Sequence, residues 1–353
     1  MGKALTNTPK WGGHGPTGER TGQHGSPEGR EVGHVPVLLK EAIDFLAIKR
    51  GGTYLDATVG LGGHSCEIAK HLGAPGHLIG FDKDPAALRA AQKRLAASEP
   101  VCSGIETRDS KPDWPTTTLL HWSFAELAND EGRATYDGIL ADLGVSSLQL
   151  DDPARGFSFQ ADGKLDMRMN PMSGETAEQV VNRLGERELA DVIYEFGEER
   201  RSRRIARALV RARPIMTTKQ LVDVILAAAR PMNLGQHKKD RIHPATRTFQ
   251  ALRMFINDEL GQLERGLKAA VDVLAPGGRL AVIAFHSLED RTVKRFMQRE
   301  SQPDPALRRL ALLPARAQPR LKLIGRKVRP GEAELARNPR ARSALLRVAE
   351  RLP

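Results

Sequence analysis

The stretch that most constrains the fold runs from Tyr54 to Ser65 and reads YLDATVGLGGHS. Its apolar start is followed by an acid, Asp56, and then by three glycines within four positions, at 60, 62 and 63. Glycine lets the backbone turn sharply and lets a ligand approach the peptide groups closely. This order predicts a short strand, a tight turn and a helix whose first residues face a ligand.

A second apolar run, His77–Phe81, ends at Asp82, about 20 residues beyond the glycine turn, which is the layout of a nucleotide-binding βαβ unit. In such units the acid accepts hydrogen bonds from a ribose diol. The glycines of this turn do not match the dinucleotide pattern G-x-G-x-x-G. A nucleoside without phosphates therefore fits better, and S-adenosylmethionine is the common one. A tight turn without a ligand is the alternative.

A third apolar run, Tyr136–Ala141, ends at Asp142 and is followed by the loop LGVSS. Open α/β sheets bind ligands outside the carboxyl ends of their strands. We therefore expect Asp56, Asp82 and Asp142 to converge at one edge of a parallel sheet. Further strands are predicted at 119–122, 279–285 and 344–348, and one long helix is predicted from Thr246 onward.

The α/β alternation is interrupted between residues 151 and 243, where the pattern is helical and rich in arginine. We interpret 151–243 as an inserted helical domain that recognises the substrate, and 34–150 with 244–353 as one α/β domain. Residues 1–33 contain many Gly, Pro and polar residues and few aliphatics, and are predicted to be a disordered extension. Residues 98–117 are polar and Pro-rich, which predicts a surface excursion.

The charge balance points to a polyanionic partner. The 353-residue chain has 54 Lys and Arg against 43 Asp and Glu, a net charge of +11, which favours nucleic acid. A basic surface without a partner is the alternative. The apolar runs are far shorter than the roughly 18–20 residues of a membrane span, and only two cysteines are present, which suits the reducing cytoplasm.

Several stretches are similar to one known family, the bacterial ribosomal RNA small subunit methyltransferase H (MraW) family. They are HVPVLLKEA at 34–42, LDATVGLGGHS at 55–65, FDKDP at 81–85, DGILADLGVSSLQLDDPARGFSF at 137–159, DGKLDMRMN at 162–170, GEER at 197–200, HPATRTFQALR at 243–253, LAPGGRLAVIAFHSLEDR at 274–291 and NPRARSALLR at 338–347. They cover nearly the whole chain after residue 33. The extra N-terminal residues and the 98–117 excursion depart from the family pattern.

The resemblance implies a Rossmann-like α/β methyltransferase sheet and a defined reaction. Members use S-adenosyl-L-methionine to methylate N4 of a cytosine in the decoding centre of 16S rRNA in the small ribosomal subunit. The α/β domain would then be the methyltransferase domain. The cofactor contacts carried over are Gly62, Gly63 and His64 in the Gly-Gly-His segment, Asp82 at the ribose, Phe124 beside the adenine, and Asp142 with Gln149 at the methionine end and active-site loop.

The predicted catalytic residue is Asp142. Cytosine N4 is a poor nucleophile because its lone pair is delocalised into the ring, so an acceptor for its hydrogens would help the lone pair to face the methyl. The alternative is that Asp142 only positions the cofactor. His64 and His286 are candidate proton acceptors whose more ordinary role is structural. Methylation at C5 would need a cysteine nucleophile, and neither Cys66 nor Cys102 falls in the active-site loop.

The predicted RNA contacts lie in two basic segments, one in the helical insertion and one near the C-terminus; they are Arg200, Arg201, Arg204, Lys322, Arg326 and Lys327. A solvated helix face is the alternative for the first segment. No metal site is predicted, and the oligomeric state stays open, with a homodimer as one option. Two other functions remain: a DNA amino-methyltransferase, disfavoured because the loop is Asp-Leu-Gly-Val and lacks Pro-Pro, and a non-catalytic RNA-binding assembly factor.

Overall fold

A computed structural model describes residues 35–99, 113–129, 135–229, 243–303, 306–307, 314 and 317–353. Its centre is a seven-stranded sheet. The strands are β1 (Thr53–Asp56), β2 (His77–Phe81), β3 (Thr116–Leu120), β4 (Tyr136–Asp142), β5 (Leu274–Ala284), β6 (Leu321–Val328) and β7 (Leu345–Arg351).

The strand order is β3-β2-β1-β4-β5-β7-β6, and β7 runs antiparallel to both of its neighbours. The other pairings are parallel. The order of the strands along the sheet therefore reverses at β1. The carboxyl ends of β1, β2 and β4 meet at one edge, which is where ligands bind in open α/β sheets. Asp142 is level with Ile283 of β5, which is level with Leu346 of β7.

Twelve α-helices occur in the described part of the chain. They are α1 (Leu39–Leu46), α2 (Gly63–Leu72), α3 (Pro85–Ser98), α4 (Ser147–Asp151), α5 (Ala177–Arg183), α6 (Glu186–Gly197), α7 (Ser202–Arg211), α8 (Thr218–Ala229), α9 (Ala245–Ile256), α10 (Glu259–Val273), α11 (Ser287–Glu300) and α12 (Glu332–Arg337). Short 3-10 helices cover Phe124–Asn129, Pro153–Arg155 and Pro339–Ser343.

Two apolar layers cover the sheet. On one face, side chains such as Leu55 and Ile139 pack with Leu267 of α10. On the other face, Leu140 and Ile283 pack with helices α1 and α2. Fully burying one such aliphatic side chain contributes about 1.5–3 kcal/mol, so these layers are the main stabilising term for the sheet.

A third apolar cluster lies among the helices that follow β4. It includes buried residues of α5 to α9, such as Val180, Ile193, Leu209, Ile225 and Phe249. The helical pattern expected within 151–243 is therefore confirmed for the described residues. Helix α9, which begins at Ala245, also contributes to this cluster, and the division into two domains stays a prediction.

The prediction of one long helix from Thr246 onward is wrong, because the helix is interrupted between α9 and α10. Asp258 has a left-handed backbone, with φ of +46°, which a continuous helix does not allow. The Asn257 side chain explains the break, since its Oδ1 accepts the Met169 N–H at 2.7 Å and its Nδ2 donates to the Met167 carbonyl at 2.8 Å. Asn257 therefore joins the end of α9 to the loop before α5.

The bounds of several predicted strands also need correction. The strand expected at 279–285 begins earlier, at Leu274, and the strand expected at 344–348 extends to Arg351. The strand expected at 119–122 begins at Thr116, because three β-branched threonines precede the leucines, and the expected surface excursion therefore ends earlier. The sequence predicts the segment of β6 only as basic. Its apolar residues Leu321 and Leu323 alternate with a lysine, which is the pattern of a strand. The extension 1–33 and residues 100–112 of the excursion lie outside the described residues. No helix among the described residues is long and apolar enough to cross a bilayer.

Candidate active site

Three acids meet at the carboxyl edge of the sheet, as the sequence predicts. Asp56 and Asp142 end β1 and β4, and Asp82 follows the last residue of β2. Asp56 is buried, and its carboxylate accepts the Ser65 hydroxyl at 2.6 Å and the Thr58 N–H at 3.2 Å. Burial raises the pKa of Asp56 to about 6, and nearby Asp82 contributes in the same direction.

The Asp82 carboxylate is held by backbone groups and keeps capacity for a ligand. Its Oδ2 accepts the Gly60 N–H at 2.8 Å, and its Oδ1 accepts the Asp84 N–H at 2.8 Å. Each oxygen has a second lone pair available for a hydroxyl. Burial raises the pKa of this carboxyl, although the two N–H bonds oppose the rise. The arrangement fits the ribose-binding role that was expected.

Packing requires glycine at positions 62 and 63. Gly62 has a left-handed backbone with φ of +74°, and a Cβ there would lie 3.1 Å from the Cα of Ala91 on α3. A Cβ on Gly63 would lie 2.3 Å from Cγ of Pro36. The glycine turn therefore brings α2 close to both α3 and the segment before α1, whether or not a ligand is bound.

His64 is buried at the start of α2, beside Asp142. Its Nε2 lies 3.0 Å from the Val37 carbonyl oxygen. Because a carbonyl only accepts, Nε2 carries a proton and Nδ1 faces the Asp142 carboxyl, with Nδ1 3.6 Å from Oδ2. This distance is too long for a hydrogen bond.

Asp142 has an oxygen without a hydrogen-bond partner among the described residues. Its Oδ1 is shielded from solvent, whereas the side chain as a whole is 21% exposed. The Asp142 N–H donates to the Thr58 hydroxyl at 2.6 Å, which fixes the end of β4. Burial raises the pKa of Asp142 well above its usual range, and Asp56 and then Glu289 raise it further. The partly exposed carboxyl therefore lies at this edge with one unsatisfied oxygen beneath it.

Gln149 lies on the active-site loop but turns its side chain toward the protein. Its Oε1 accepts the Ser146 N–H at 3.1 Å in a capping box at the start of α4. Its Nε2 donates to Oδ2 of Asp84 at 3.0 Å. Gln149 therefore connects the active-site loop to the loop after β2.

Asp84 is the centre of a buried network that the sequence did not predict. It caps α3 by accepting the Ala86 N–H at 2.9 Å. Its other oxygen also accepts from Arg155 at 2.6 Å, and Arg155 donates to the carbonyls of Arg168 and Met169 at 3.0 Å. The motifs FDKDP and DDPARG contain these two residues. Asp84 and Arg155 are 71 positions apart in the sequence, so no local sequence pattern predicts their contact.

Phe124 is buried beneath α10, and a Cβ on Gly266 would lie 2.4 Å from its ring. Its contact with adenine stays a prediction. Trp122, which the sequence analysis placed only in a strand, packs edge-on against Phe81 with ring centroids 5.2 Å apart. Because Phe81 directly precedes Asp82, the Trp122 ring is a second aromatic side chain near this acid.

His286 follows β5 and caps α11 together with Glu289 in a capping box. This supports the structural role for His286. Ligand atoms of Glu259, His286 and Glu289 lie within 4.8 Å of one another, a grouping that the sequence did not predict. However, Arg253 already donates to both carboxylate oxygens of Glu259 at 2.8 Å.

The predicted RNA contacts fall in different surroundings. Arg200, Arg201 and Arg204 are exposed, and Arg201 also donates to the Ala229 carbonyl at 3.0 Å at the end of α8. Lys322, Arg326 and Lys327 are exposed on β6, the edge strand of the sheet.

Known proteins resemble this chain over most of its length. A "Ribosomal RNA small subunit methyltransferase H" from Koribacter versatilis is 58% identical over 322 residues, 91% of this chain and 95% of the relative. The protein of that name from Acidobacterium capsulatum is 53% identical over 90% of this chain and 98% of the relative. A putative rRNA-methylase structure from Clostridium thermocellum is 12% identical, covers 90% of this chain and 100% of its own, and has a TM-score of 0.41, too low to support an argument.

The sequence profile described as the MraW methylase family matches residues 31–352. The seven-stranded sheet, with antiparallel β7 between β5 and β6 and three acids at its ligand edge, is a Rossmann-like methyltransferase sheet. The chain therefore belongs to the MraW methylase family, and its activity is methyl transfer.

Proposed function

We propose that this protein transfers the methyl group of S-adenosyl-L-methionine to N4 of a cytosine in the decoding centre of 16S rRNA. The observation that carries the proposal is the Asp142 carboxyl, whose Oδ1 has no partner among the described residues at the ligand edge of the sheet. The two relatives reported above carry the name of a small-subunit rRNA methyltransferase, which supports an rRNA substrate.

The cofactor supplies an electrophilic methyl group on a sulfonium. Asp82 would accept the two ribose hydroxyls through its remaining lone pairs, while the Gly60 and Asp84 N–H groups hold it in place. Phe124 and Trp122 are the aromatic candidates at the adenine side. Gly62, Gly63 and His64 bring the start of α2 to the same edge, where its backbone would contact the cofactor.

Asp142 would act on the methyl acceptor. Its raised pKa makes the carboxyl a better proton acceptor than an exposed aspartate, because burial and the neighbouring Asp56 disfavour its charge. The partly exposed carboxyl would accept a hydrogen from the exocyclic amino group, so that the nitrogen lone pair faces the methyl. His64 would orient the carboxyl from the Oδ2 side, at 3.6 Å. Gln149 would hold the loop that follows through Ser146 and Asp84.

The RNA substrate would have to present its target base at this edge of the sheet. The target base must leave its stack to reach the methyl, because a paired base does not expose N4 to the sheet edge. The helical segment between β4 and α10 would border the substrate and bind RNA with Arg200 and Arg204. We propose that the protein acts in the cytoplasm on the small ribosomal subunit, as a monomer or a homodimer.

The test is methyl transfer from labelled S-adenosylmethionine to isolated small subunits, naked 16S rRNA and duplex DNA in parallel. Digestion of the product to nucleosides identifies the modified base. Label in N4-methylcytidine from rRNA is the expected result. Label in DNA alone would favour a DNA amino-methyltransferase, and binding of RNA without any label would favour a non-catalytic assembly factor.

A further inference from the structure

The edge strand β6 contains a bulge that presents two basic side chains. Ile324 pairs with Val348 of β7, and the next pair is Val328 with Leu346, so three intervening β6 residues oppose one residue of β7. The bulge contains Gly325, Arg326 and Lys327, and Gly325 has a left-handed φ of +66°. Bulges bend an edge strand and redirect its side chains, and they are common beside active sites.

The bulge lies at the ligand edge of the sheet. Val328 is level with Leu346, which is level with Ile283 and hence with Asp142. Three strand-to-strand steps of about 4.8 Å place Val328 roughly 14 Å from Asp142 along that edge. Lys322 lies at the opposite edge, since it pairs with Glu350, which pairs with Arg279 near the start of the parallel pairing.

A cleft joins the bulge to α11. Its floor includes the apolar side chains of Met297 and Val348, and its rim carries Lys294, Arg326 and Lys327. None of the cleft-lining residues is acidic. In the described part of the chain, no ion pair is formed by these three rim residues, whereas Arg347 of the same cleft is bound by Asp290 at 2.7 Å.

We infer that Arg326 and Lys327, with Lys294, form a contact for the phosphate backbone of the substrate RNA beside the target nucleotide. Positive charge without local compensation favours a polyanion, and the position beside Asp142 favours the strand that carries the reacting base. This inference rests on the proposed function. The inference separates the six predicted RNA contacts by their position. Arg326 and Lys327 lie at the ligand edge, whereas Lys322 lies at the far edge of the sheet. Arg201 is bonded to the Ala229 carbonyl.

The test compares Lys327→Gln with Lys322→Gln in the full-length protein. Both changes remove one charge from an exposed lysine on the same strand, so effects of net charge alone are matched. Binding is measured with a fluorescent single-stranded 16S rRNA oligonucleotide between 0.1 and 1 M salt. Losing one phosphate contact should reduce the slope of log affinity against log salt by about 0.7, or about fivefold across this range.

Methyl transfer gives the second readout. Lys327→Gln should raise the KM for small subunits several-fold and leave both kcat and the KM for S-adenosylmethionine unchanged, whereas Lys322→Gln should match the wild type. Arg326→Gln combined with Lys327→Gln should about double the change in salt slope, to roughly 1.4. Unfolding curves of all variants should coincide, since the changed side chains are exposed.

Equal slopes and equal KM values for Lys327→Gln and Lys322→Gln would overturn the inference. Failure of the proposed function would give a different result, since the wild-type protein would then not label rRNA. The salt slope of binding is measured without catalysis and does not depend on that outcome.

Discussion

His64 and Asp142 face each other at the carboxyl edge of the sheet, with Nδ1 of the imidazole 3.6 Å from Oδ2 of the carboxyl. The Val37 carbonyl fixes the opposite side of the imidazole ring, so His64 lies against one carboxyl oxygen, and Oδ1 has no hydrogen-bond partner among the described residues.

Replacing Asp142 with asparagine should abolish most methyl transfer without unfolding the protein. The amide cannot take a proton from the amino group, so we expect a loss of at least about a hundredfold in kcat. Burial and the repulsion from Asp56 and Glu289 disfavour a negative charge on Asp142. Removing that charge should therefore leave the free energy of unfolding equal or higher. Initial rates with small subunits and calorimetric binding of S-adenosylmethionine measure both effects. A variant with the wild-type rate and normal cofactor binding would reject this role.

Asp56 should lower stability at neutral pH. Folded Asp56 has a pKa of about 6 against 3.8 for its ordinary value, so the folded state holds the extra proton between these values. The free energy of unfolding therefore falls as pH rises through this window and is constant above it. About two pKa units correspond to about 3 kcal/mol. Asp56→Asn should remove this cost, because an amide oxygen still accepts the Thr58 N–H.

Urea unfolding at pH 4, 5, 6 and 7 checks the Asp56 prediction. The stability difference between Asp56→Asn and the wild type should be small at pH 4 and grow to at most about 3 kcal/mol at pH 7. A difference that does not change with pH would contradict it.

Arg155 should stabilise the active-site loop through Asp84. Arg155→Met leaves a buried carboxylate without its cation, which costs about 3–5 kcal/mol in comparable pairs. Arg183 forms an exposed pair with Glu175, so Arg183→Met is the matched control and should cost at most about 1 kcal/mol. Denaturant unfolding measures both changes. Arg155→Lys should recover only part of the lost free energy of unfolding, because one amine cannot reach Asp84 and both carbonyls together. Full recovery would show that Arg155 acts through its charge alone.

Gly63 should not tolerate a methyl group. The Cβ of Gly63→Ala would meet Pro36 at 2.3 Å, so we expect a loss of about 1–3 kcal/mol and weaker cofactor binding. Gly331→Ala is the control, since no atom lies within 4 Å of its Cβ and its φ is negative. Thermal unfolding of both variants tests this. Equal midpoints would show that the segment before α1 can move away from α2.

The sheet edge was predictable because each of its acids ends an apolar run. The apolar run from Tyr136 to Ala141 with Asp142 at its end matches the bounds of β4 in the structure. These features depend on neighbours in sequence. The family resemblance identified Asp82, Gln149 and Phe124 as site residues, and their ligand contacts stay predictions.

The remaining features depend on contacts between distant residues. The helix break follows from Asn257 bonding to Met167 and Met169, about 90 positions away, and nothing near Asn257 signals it. The link from Asp84 to Arg155 is likewise a tertiary contact between two motifs that each read as a local turn. The bulge in β6 is visible only once its pairing with β7 is known.

The antiparallel direction of β7 has a practical consequence for attaching the protein to a surface. Because β7 runs against β5, Arg351 ends level with Leu321, at the edge of the sheet opposite Asp142. A tether joined after this strand would leave from the rear of the sheet. Immobilisation through that end should therefore keep the edge that carries Asp142 open to a large substrate.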